Sequence, residues 1–110
     1  MGKFEITKRK NGEFQFNLKA GNGQVILTSE GYTAKAGCLN GVESVKKNSQ
    51  DDSKFEKKVA TNGKFYFCLK ATNGQIIGMS QMYTTEASRD NGIASVKTNA
   101  PDADIIELLD

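Results

Sequence analysis

The 110-residue chain has the length and composition of one ordinary globular domain. Hydrophobic residues make up 37% and charged residues 25% of the chain, and the formal net charge is +2, which excludes bulk disorder and a disulfide-stapled scaffold. The sequence contains no histidine, so imidazole acid–base chemistry and histidine-ligated metals are excluded. We therefore expect no cofactor.

The sequence also predicts the cellular location of the protein. The sequence has no run of 18 apolar residues, and its first residues lack the apolar core of a secretion signal, so we expect no membrane association and no export. Two cysteines without an export signal are expected to be reduced thiols. The predicted location is the cytoplasm.

An internal repeat dominates the sequence. After a shift of 51 residues, positions 4–51 align with 55–102 without a gap, and 24 of the 48 pairs are identical. The shift fits a third time, because Phe4-Glu5, Phe55-Glu56 and Ile106-Glu107 occupy equivalent places. We interpret residues 1–110 as a single domain made of two repeats, 3–52 and 54–103, closed by a C-terminal strand at 104–109.

Three strands open each repeat. Alternation of apolar and polar residues predicts a strand around Phe4 and Ile6 and a second one from Phe14 to Leu18. A third strand is predicted from Gln24 to Ser29, and because Val25-Ile26-Leu27 is apolar on both faces we expect it to be central. The second repeat copies this pattern, with alternating Phe65, Phe67 and Leu69 and then a strand from Gln75 to Ser80.

Asn-Gly pairs separate the predicted strands. Asn11-Gly12 and Asn22-Gly23 recur in the second repeat as Asn62-Gly63 and Asn73-Gly74. The pair is typical of a type I′ hairpin turn, in which both central residues have positive φ. Gly23 and Gly74 are therefore predicted to be structural glycines.

A helix follows in each repeat, with Thr33 and Thr84 as the expected N-caps. Apolar spacing of three and four residues predicts one core-facing stripe per helix, formed by Ala34, Cys38, Val42 and Val45 and by Thr85, Arg89, Ile93 and Val96. Pro101 ends the second helix, and the apolar tail predicts a last strand. The order βββα-βββα-β predicts an α+β fold with the helices on one face of a mainly antiparallel sheet.

Two segments carry a family resemblance. Residues 22–37 and the run from Ser88 to Lys97, with its Asn-Gly-Ile-Ala-Ser-Val-Lys box, resemble the YegP-like family of small bacterial and archaeal proteins of uncharacterised function. The resemblance implies two tandem β3-α-β repeats that form one pseudo-twofold domain with exchanged C-terminal strands. Single-repeat members are expected to reach the same arrangement as homodimers. The family brings no established catalytic residues, so none is transferred.

Asn40-Gly41 and Asn91-Gly92 lie inside the predicted helices. A helical glycine costs about 1 kcal/mol relative to alanine, so two copies need a reason. We favour close packing of helix on sheet, which makes Gly41, Gly92 and Asn91 structural. The alternative is a local break that offers backbone N–H groups to a ligand.

Arg89 is the leading single candidate for a ligand contact. Its helical phase places it on the core-facing stripe, where the first repeat has Cys38. A buried guanidinium needs a partner. The favoured interpretation is a structural ion pair with Asp90, Asp102, Asp104 or Glu107, and the alternative is a fork of donors for an anionic ligand.

A second set of candidates points to nucleic acid. Lys8, Arg9 and Lys10 form a basic cluster at a hairpin, and Tyr66 is expected on the open face of the sheet. Aromatic residues on an open sheet face can stack bases. The plainer interpretation is that lysines here and at Lys57-Lys58 protect a solvated edge strand.

Two further groups could do chemistry. Glu5, Glu56 and Glu107 recur at the same place in three strands and would cluster if those strands met. Cys38 is predicted to be buried, whereas Cys68 falls on the outward phase of its strand and could be reactive.

Together these patterns favour a small cytosolic, non-enzymatic binding or structural module. Its expected partner is another protein or, weakly, a second copy of the chain. The alternatives are a nucleic-acid-associated protein and, less favoured, a carboxylate- or thiol-based enzyme.

Overall fold

The computed structural model describes residues 2–109. The first repeat contains β1 (Lys3–Lys8), β2 (Phe14–Lys19), β3 (Val25–Thr28) and α1 (Lys35–Asn48). A 3₁₀ turn (Asp52–Lys54) leads into β4 (Phe55–Val59), β5 (Phe65–Lys70), β6 (Ile76–Met79) and α2 (Glu86–Asn99). The chain ends on β7 (Asp104–Glu107).

The seven strands form one sheet in the order β4-β5-β6-β3-β2-β1-β7. All neighbouring strands are antiparallel except β1 and β7, which are parallel. The predicted α+β fold with a mainly antiparallel sheet is confirmed, and β3 is central as expected. The C-terminal strand of the second repeat joins the first repeat, whereas the segment after α1 becomes β4 and pairs with β5.

The two repeats share one core under the helices. Helix α1 contacts β2 of its own repeat and also β5 and β6, while α2 contacts β5 and β3. Both helices therefore cross the seam between β3 and β6. The buried side chains of the core include Phe4, Ile6, Phe16, Leu18, Leu27, Val42, Val45, Phe67, Leu69 and Val96. Neither helix has the length and apolar character that a bilayer crossing requires in the part of the chain described.

The hairpin turns differ from the expected type I′ geometry. Gly12 and Gly23 have φ of 89° and 86°, but no residue other than glycine has positive φ within 2–109. The Gly12 N–H donates to Arg9 O, as in a type I turn followed by a left-handed glycine. Asn11 is selected for a different reason, because its Oδ1 accepts from Glu13 N at 3.0 Å.

The predicted N-caps are one residue too early. Helix α2 is capped by Thr85, whose Oγ1 accepts from Ser88 N at 3.1 Å, and not by Thr84. Helix α1 begins after Ala34, which has no side-chain oxygen, and Thr33 makes no cap. The repeats therefore begin their helices with unequal stability.

Helix α2 lies close against its sheet at Gly92. A Cβ atom there would lie 2.5 Å from Tyr83 Oη and 3.1 Å from Phe67 Cε2. Gly41 has the equivalent neighbours, Tyr32 and Phe16. Asn91 is exposed on the solvent side of the same helix, so the close approach belongs to the glycine and not to its neighbour.

At the seam, equivalent residues of the two repeats meet. Leu27 and Gly78 correspond under the 51-residue shift, and a Cβ on Gly78 would lie 2.7 Å from both Cγ and Cδ2 of Leu27. Leu27 is fully buried, so it cannot move away into solvent. One leucine fills a space that two would overfill.

We expect Gly78→Ala to destabilise the protein by about 1–3 kcal/mol through overpacking. Leu27→Ala should also destabilise it, by about 2–5 kcal/mol. In the double variant the clash is relieved. Urea unfolding should therefore show that the double variant loses less unfolding free energy than the sum of the losses in the two single variants. As a control, Gly37→Ala should be neutral or stabilising, because a Cβ there would meet Tyr32 at an ordinary 3.5 Å. Strict additivity would contradict the seam contact.

The unequal caps predict opposite effects at equivalent positions. Thr85→Ala should cost about 1 kcal/mol of unfolding free energy, because Ser88 N loses its acceptor. Ala34→Thr should raise the free energy of unfolding by supplying the acceptor that α1 lacks. Thermal melts of the two variants test this, and a destabilising Ala34→Thr would contradict it.

Candidate functional site

Arg89 lies almost buried at the start of α2, with 7% of the residue exposed. Its Nε donates to Asp90 Oδ1 at 3.2 Å. The guanidinium carbon lies 5.6 Å from the ring centroid of Phe65, within the range of a cation–π contact. Of the four carboxylates considered, Asp90 is the one that pairs with Arg89. A role of Arg89 toward a ligand stays a prediction.

Asp90 also joins α2 to the edge strand β4. Lys57 Nζ lies 3.2 Å from Asp90 Oδ1. The hydrogen bond from Lys57 lowers the pKa of Asp90 below its ordinary value, and the bond from Arg89 lowers it further by a smaller amount. Together they outweigh the effect of partial desolvation. Both partners thus favour the charged carboxylate.

A groove opens between α2 and β4 beside this ion pair. Its volume is about 380 Å³, and it is lined by Asp52, Phe55, Lys57, Asp90 and Ile93. Phe55 is half-buried and packs edge-on against Phe67, with ring centroids 5.7 Å apart. Phe55 and Ile93 supply the apolar wall, and three charged side chains from three elements form its rim.

The sequence pointed to Arg89 but not to the group of residues that lines this groove. The differences between the two repeats could have indicated that group. Lys57 stands where the first repeat has Ile6, and Asp90 stands where it has Leu39. Two positions that are apolar in the first repeat are thus charged in the second, which marks a surface that differs between the halves.

The basic cluster lies in the other half of the sheet. Lys8 Nζ lies 5.5 Å from the Phe14 ring centroid, and Arg9 Nε donates to Gln15 Oε1 at 2.6 Å. Lys10 is exposed at the β1–β2 turn. The structure does not bring these residues together with Arg89, because β3 and β6 separate the two hairpins.

The edge-strand interpretation holds for the lysine cluster of β4. Strand β4, with Lys57 and Lys58, is an edge of the sheet. Strand β1 is covered by β7 over Lys3–Ile6, so the edge interpretation fails for that part of β1. Lys8 lies beyond the paired residues and is exposed.

The open face carries paired charges. Lys19 Nζ lies 2.9 Å from Glu5, and Lys70 donates to Glu56 at the same distance. Hydrogen bonds from Lys70 and then Lys58 hold the pKa of Glu56 below its ordinary value. Tyr66 is half-buried on this face. A phosphate backbone would have to displace these glutamates to reach the lysines.

The three repeated glutamates do not cluster. Glu5 and Glu56 lie on the open face in opposite halves of the sheet. Glu107 lies on the helix side, where Lys35 of α1 donates to it at 2.9 Å. The register explains the difference, since Glu5 faces Ile106 across the β1–β7 ladder. At β7, the residue paired with Glu5 is therefore one position earlier than the residue that the 51-residue shift aligns with it.

Both thiols are shielded. Cys38 is fully buried, and Cys68 is 1% exposed even though its strand phase points away from the helices. Burial raises the pKa of each thiol. Cys68 thus has the predicted outward phase but is not accessible, because neighbouring side chains cover it. Among residues 2–109, no three or more cysteine or carboxylate side chains are grouped to hold a metal ion.

Neither thiol should react rapidly in the folded protein. We expect a chromogenic disulfide reagent at pH 8 to modify Cys38 and Cys68 slowly in buffer and quickly in denaturant, because burial limits access and disfavours the thiolate. Single Cys38→Ser and Cys68→Ser variants assign the two rates. Fast modification of native Cys68 would contradict the shielding.

Comparison with known proteins places the chain in a family. The family description "Domain of unknown function (DUF1508)" matches residues 10–56 and again residues 60–107. The UPF0339 protein encoded in the ptx operon 5′ region of Stutzerimonas stutzeri is 61% identical over 107 residues, spanning 97% of this chain and 96% of that protein. The UPF0339 protein YegP of Escherichia coli K12 is 58% identical over 98 residues, or 89% of each chain.

Two solution NMR structures have the same fold. A UPF0339 protein from Shewanella oneidensis gives a TM-score of 0.93 at 55% identity, covering 98% of this chain and 92% of that one. YegP from Escherichia coli, described as a protein of unknown function, gives a TM-score of 0.94 at 53% identity over 98% and 93% of the chains. No activity is named for any of these relatives.

Proposed function

This chain belongs to the DUF1508 family, and we propose that it is a non-enzymatic binding module of the cytoplasm. Its ligand site is the groove between α2 and β4. The groove combines the half-buried Phe55 and Ile93 with charged side chains from a turn, a strand and a helix. A concave apolar wall with a few convergent charges is the usual make-up of a binding site.

The groove favours binding over catalysis. Asp90 is held ionised by Lys57 and Arg89, and Asp52 forms an ion pair with Lys97. A general acid or base needs a pKa near the working pH, whereas the pKa of Asp90 is lowered. The thiols, with raised pKa values, lie away from this rim.

A second depression is less suited to a ligand. It has a volume of about 420 Å³ and lies between α1 and the β5–β6 turn. The polar groups on its floor, Ser44, Asn48 and Thr72, are already bonded to one another. Asn48 donates to Ser44 O at 2.9 Å and accepts from Thr72 at 3.4 Å. A ligand there would have to replace these bonds.

Lys57→Glu should remove capture of a partner from host lysate, because it reverses a rim charge and repels Asp90. Lys64→Glu makes the same charge change at an exposed turn of the same repeat and should retain capture. Tagged wild type and variants are incubated with lysate, with and without nuclease, and bound protein and nucleic acid are quantified. Circular dichroism checks that each variant is folded.

Lys10→Glu separates the nucleic-acid alternative. Loss of a nuclease-sensitive fraction in this variant, with Lys57→Glu unaffected, would contradict the groove proposal and favour phosphate binding at the β1–β2 hairpin. Equal capture by the wild type and the variants would also contradict a site at the groove.

A further inference from the structure

Strands β1 and β4 hold equivalent places in the two repeats, but in the part of the chain described only β1 has a further strand beside it. Without β7 the sheet would be β4-β5-β6-β3-β2-β1, in which β4 and β1 hold the same place in their repeats. Strand β7 covers the outer edge of β1. In residues 2–109 no strand covers the outer edge of β4. Apart from the Phe55 N–H, which donates to Asp52 O, its outward main-chain groups are therefore a template for pairing.

The β1–β7 ladder shows what such an edge accepts in this fold. Strand β7 runs parallel to β1, with Lys3 opposite Asp104 and Phe4 opposite Ile105. The Leu108 N–H continues the ladder by donating to Ile6 O at 2.8 Å. The bound segment is extended and acidic at its start, and it places Ile105 and Glu107 on the side that faces the helices.

The corresponding site on the second repeat is open. Phe55 and Ile93 take the places of Phe4 and Val42 under the 51-residue shift. Phe4 and Val42 are fully buried, whereas Phe55 and Ile93 remain partly exposed. Both line the groove beside β4, so an added strand would cover apolar surface as well as pair its backbone.

The charges at and just before β4 favour an acidic segment. Lys54, the last residue of the 3₁₀ turn before β4, aligns with Lys3 under the 51-residue shift, so it would lie near an acidic first residue, as Lys3 lies opposite Asp104. Lys57 replaces Ile6, which faces Glu107 in the template, so an acidic fourth residue would face a lysine. Asp52 and Asp90 on the rim already have basic partners, Lys97 for Asp52 and Lys57 and Arg89 for Asp90.

A second copy is the poorer occupant. Its own C-terminal strand is engaged on its own β1, and moving that strand to another molecule would uncover one edge for every edge it covers. A segment of a different polypeptide gains the pairing without this loss.

We propose that the outer edge of β4 binds an extended segment of another polypeptide as an eighth, parallel strand, with the pattern acidic–aliphatic–any–acidic. This inference rests on the proposed function, because it names the ligand of the same groove. Recognition by strand addition takes its affinity from the main chain and its specificity from alternate side chains.

The test uses the full-length, isotope-labelled protein and a synthetic peptide with the sequence of residues 103–109. We expect amide shifts and slowed hydrogen exchange in β4, together with shifts at Phe55 and Ile93. A peptide with lysine at both acidic positions should bind about tenfold or more weakly. The double variant Lys54→Glu, Lys57→Glu should weaken the acidic peptide similarly, while Lys64→Glu should leave its affinity unchanged.

Two outcomes would overturn the strand inference. One is absence of binding at millimolar peptide, and the other is a set of shifts confined to β1 and β7, which would mean that the peptide displaces its own counterpart. If lysate capture still depends on Lys57, the proposed function survives that failure. If instead the peptide pairs with β4 while capture ignores Lys57, the proposed function fails and the edge site stands.

Discussion

The packing of the two repeats against each other at the β3–β6 seam is the contact on which the rest of the structure depends. The two strands share one ladder pair, Thr28 and Met79, so backbone pairing there is slight. What joins the halves is the core above it, where Leu27 fills the space over Gly78 and both helices cross the seam. Because equivalent positions meet near the pseudo-twofold axis, the duplicated sequences had to differ there.

The same duplication leaves one edge unlike the other. Within residues 2–109, the one strand beyond the two repeats covers β1, and no strand covers the outer edge of β4. The second repeat has charged residues at its free edge where the first has apolar ones, with Lys57 for Ile6 and Asp90 for Leu39. Lysines discourage indiscriminate edge pairing. In the proposed strand-addition site the same lysines would favour an acidic segment.

The sequence predicted the orientation of several residues of the candidate site, but it did not predict that they form a groove. Helical phase placed Arg89 toward the interior, and Asp90 was among its expected partners. Helical phase also places Ile93 on the core-facing stripe, but periodicity says which face a residue takes and not whether that face is covered. The partial exposure of Phe55 and Ile93 follows from strand order. Cys68 shows the reverse case, an outward phase that neighbouring side chains bury.

The sequence by itself determined the duplication, the α+β class, the element order and the buried faces, because these follow from local periodicity and from identity between the halves. It also marked the turns through their glycines. The turn type differed from the prediction, and each helix begins one residue later than predicted. Only the tertiary structure decided which strands became edges, where β7 returned, and in which register. Those features depend on contacts between residues about 100 positions apart, such as Lys3 with Asp104, and no local pattern encodes how such distant segments share one core.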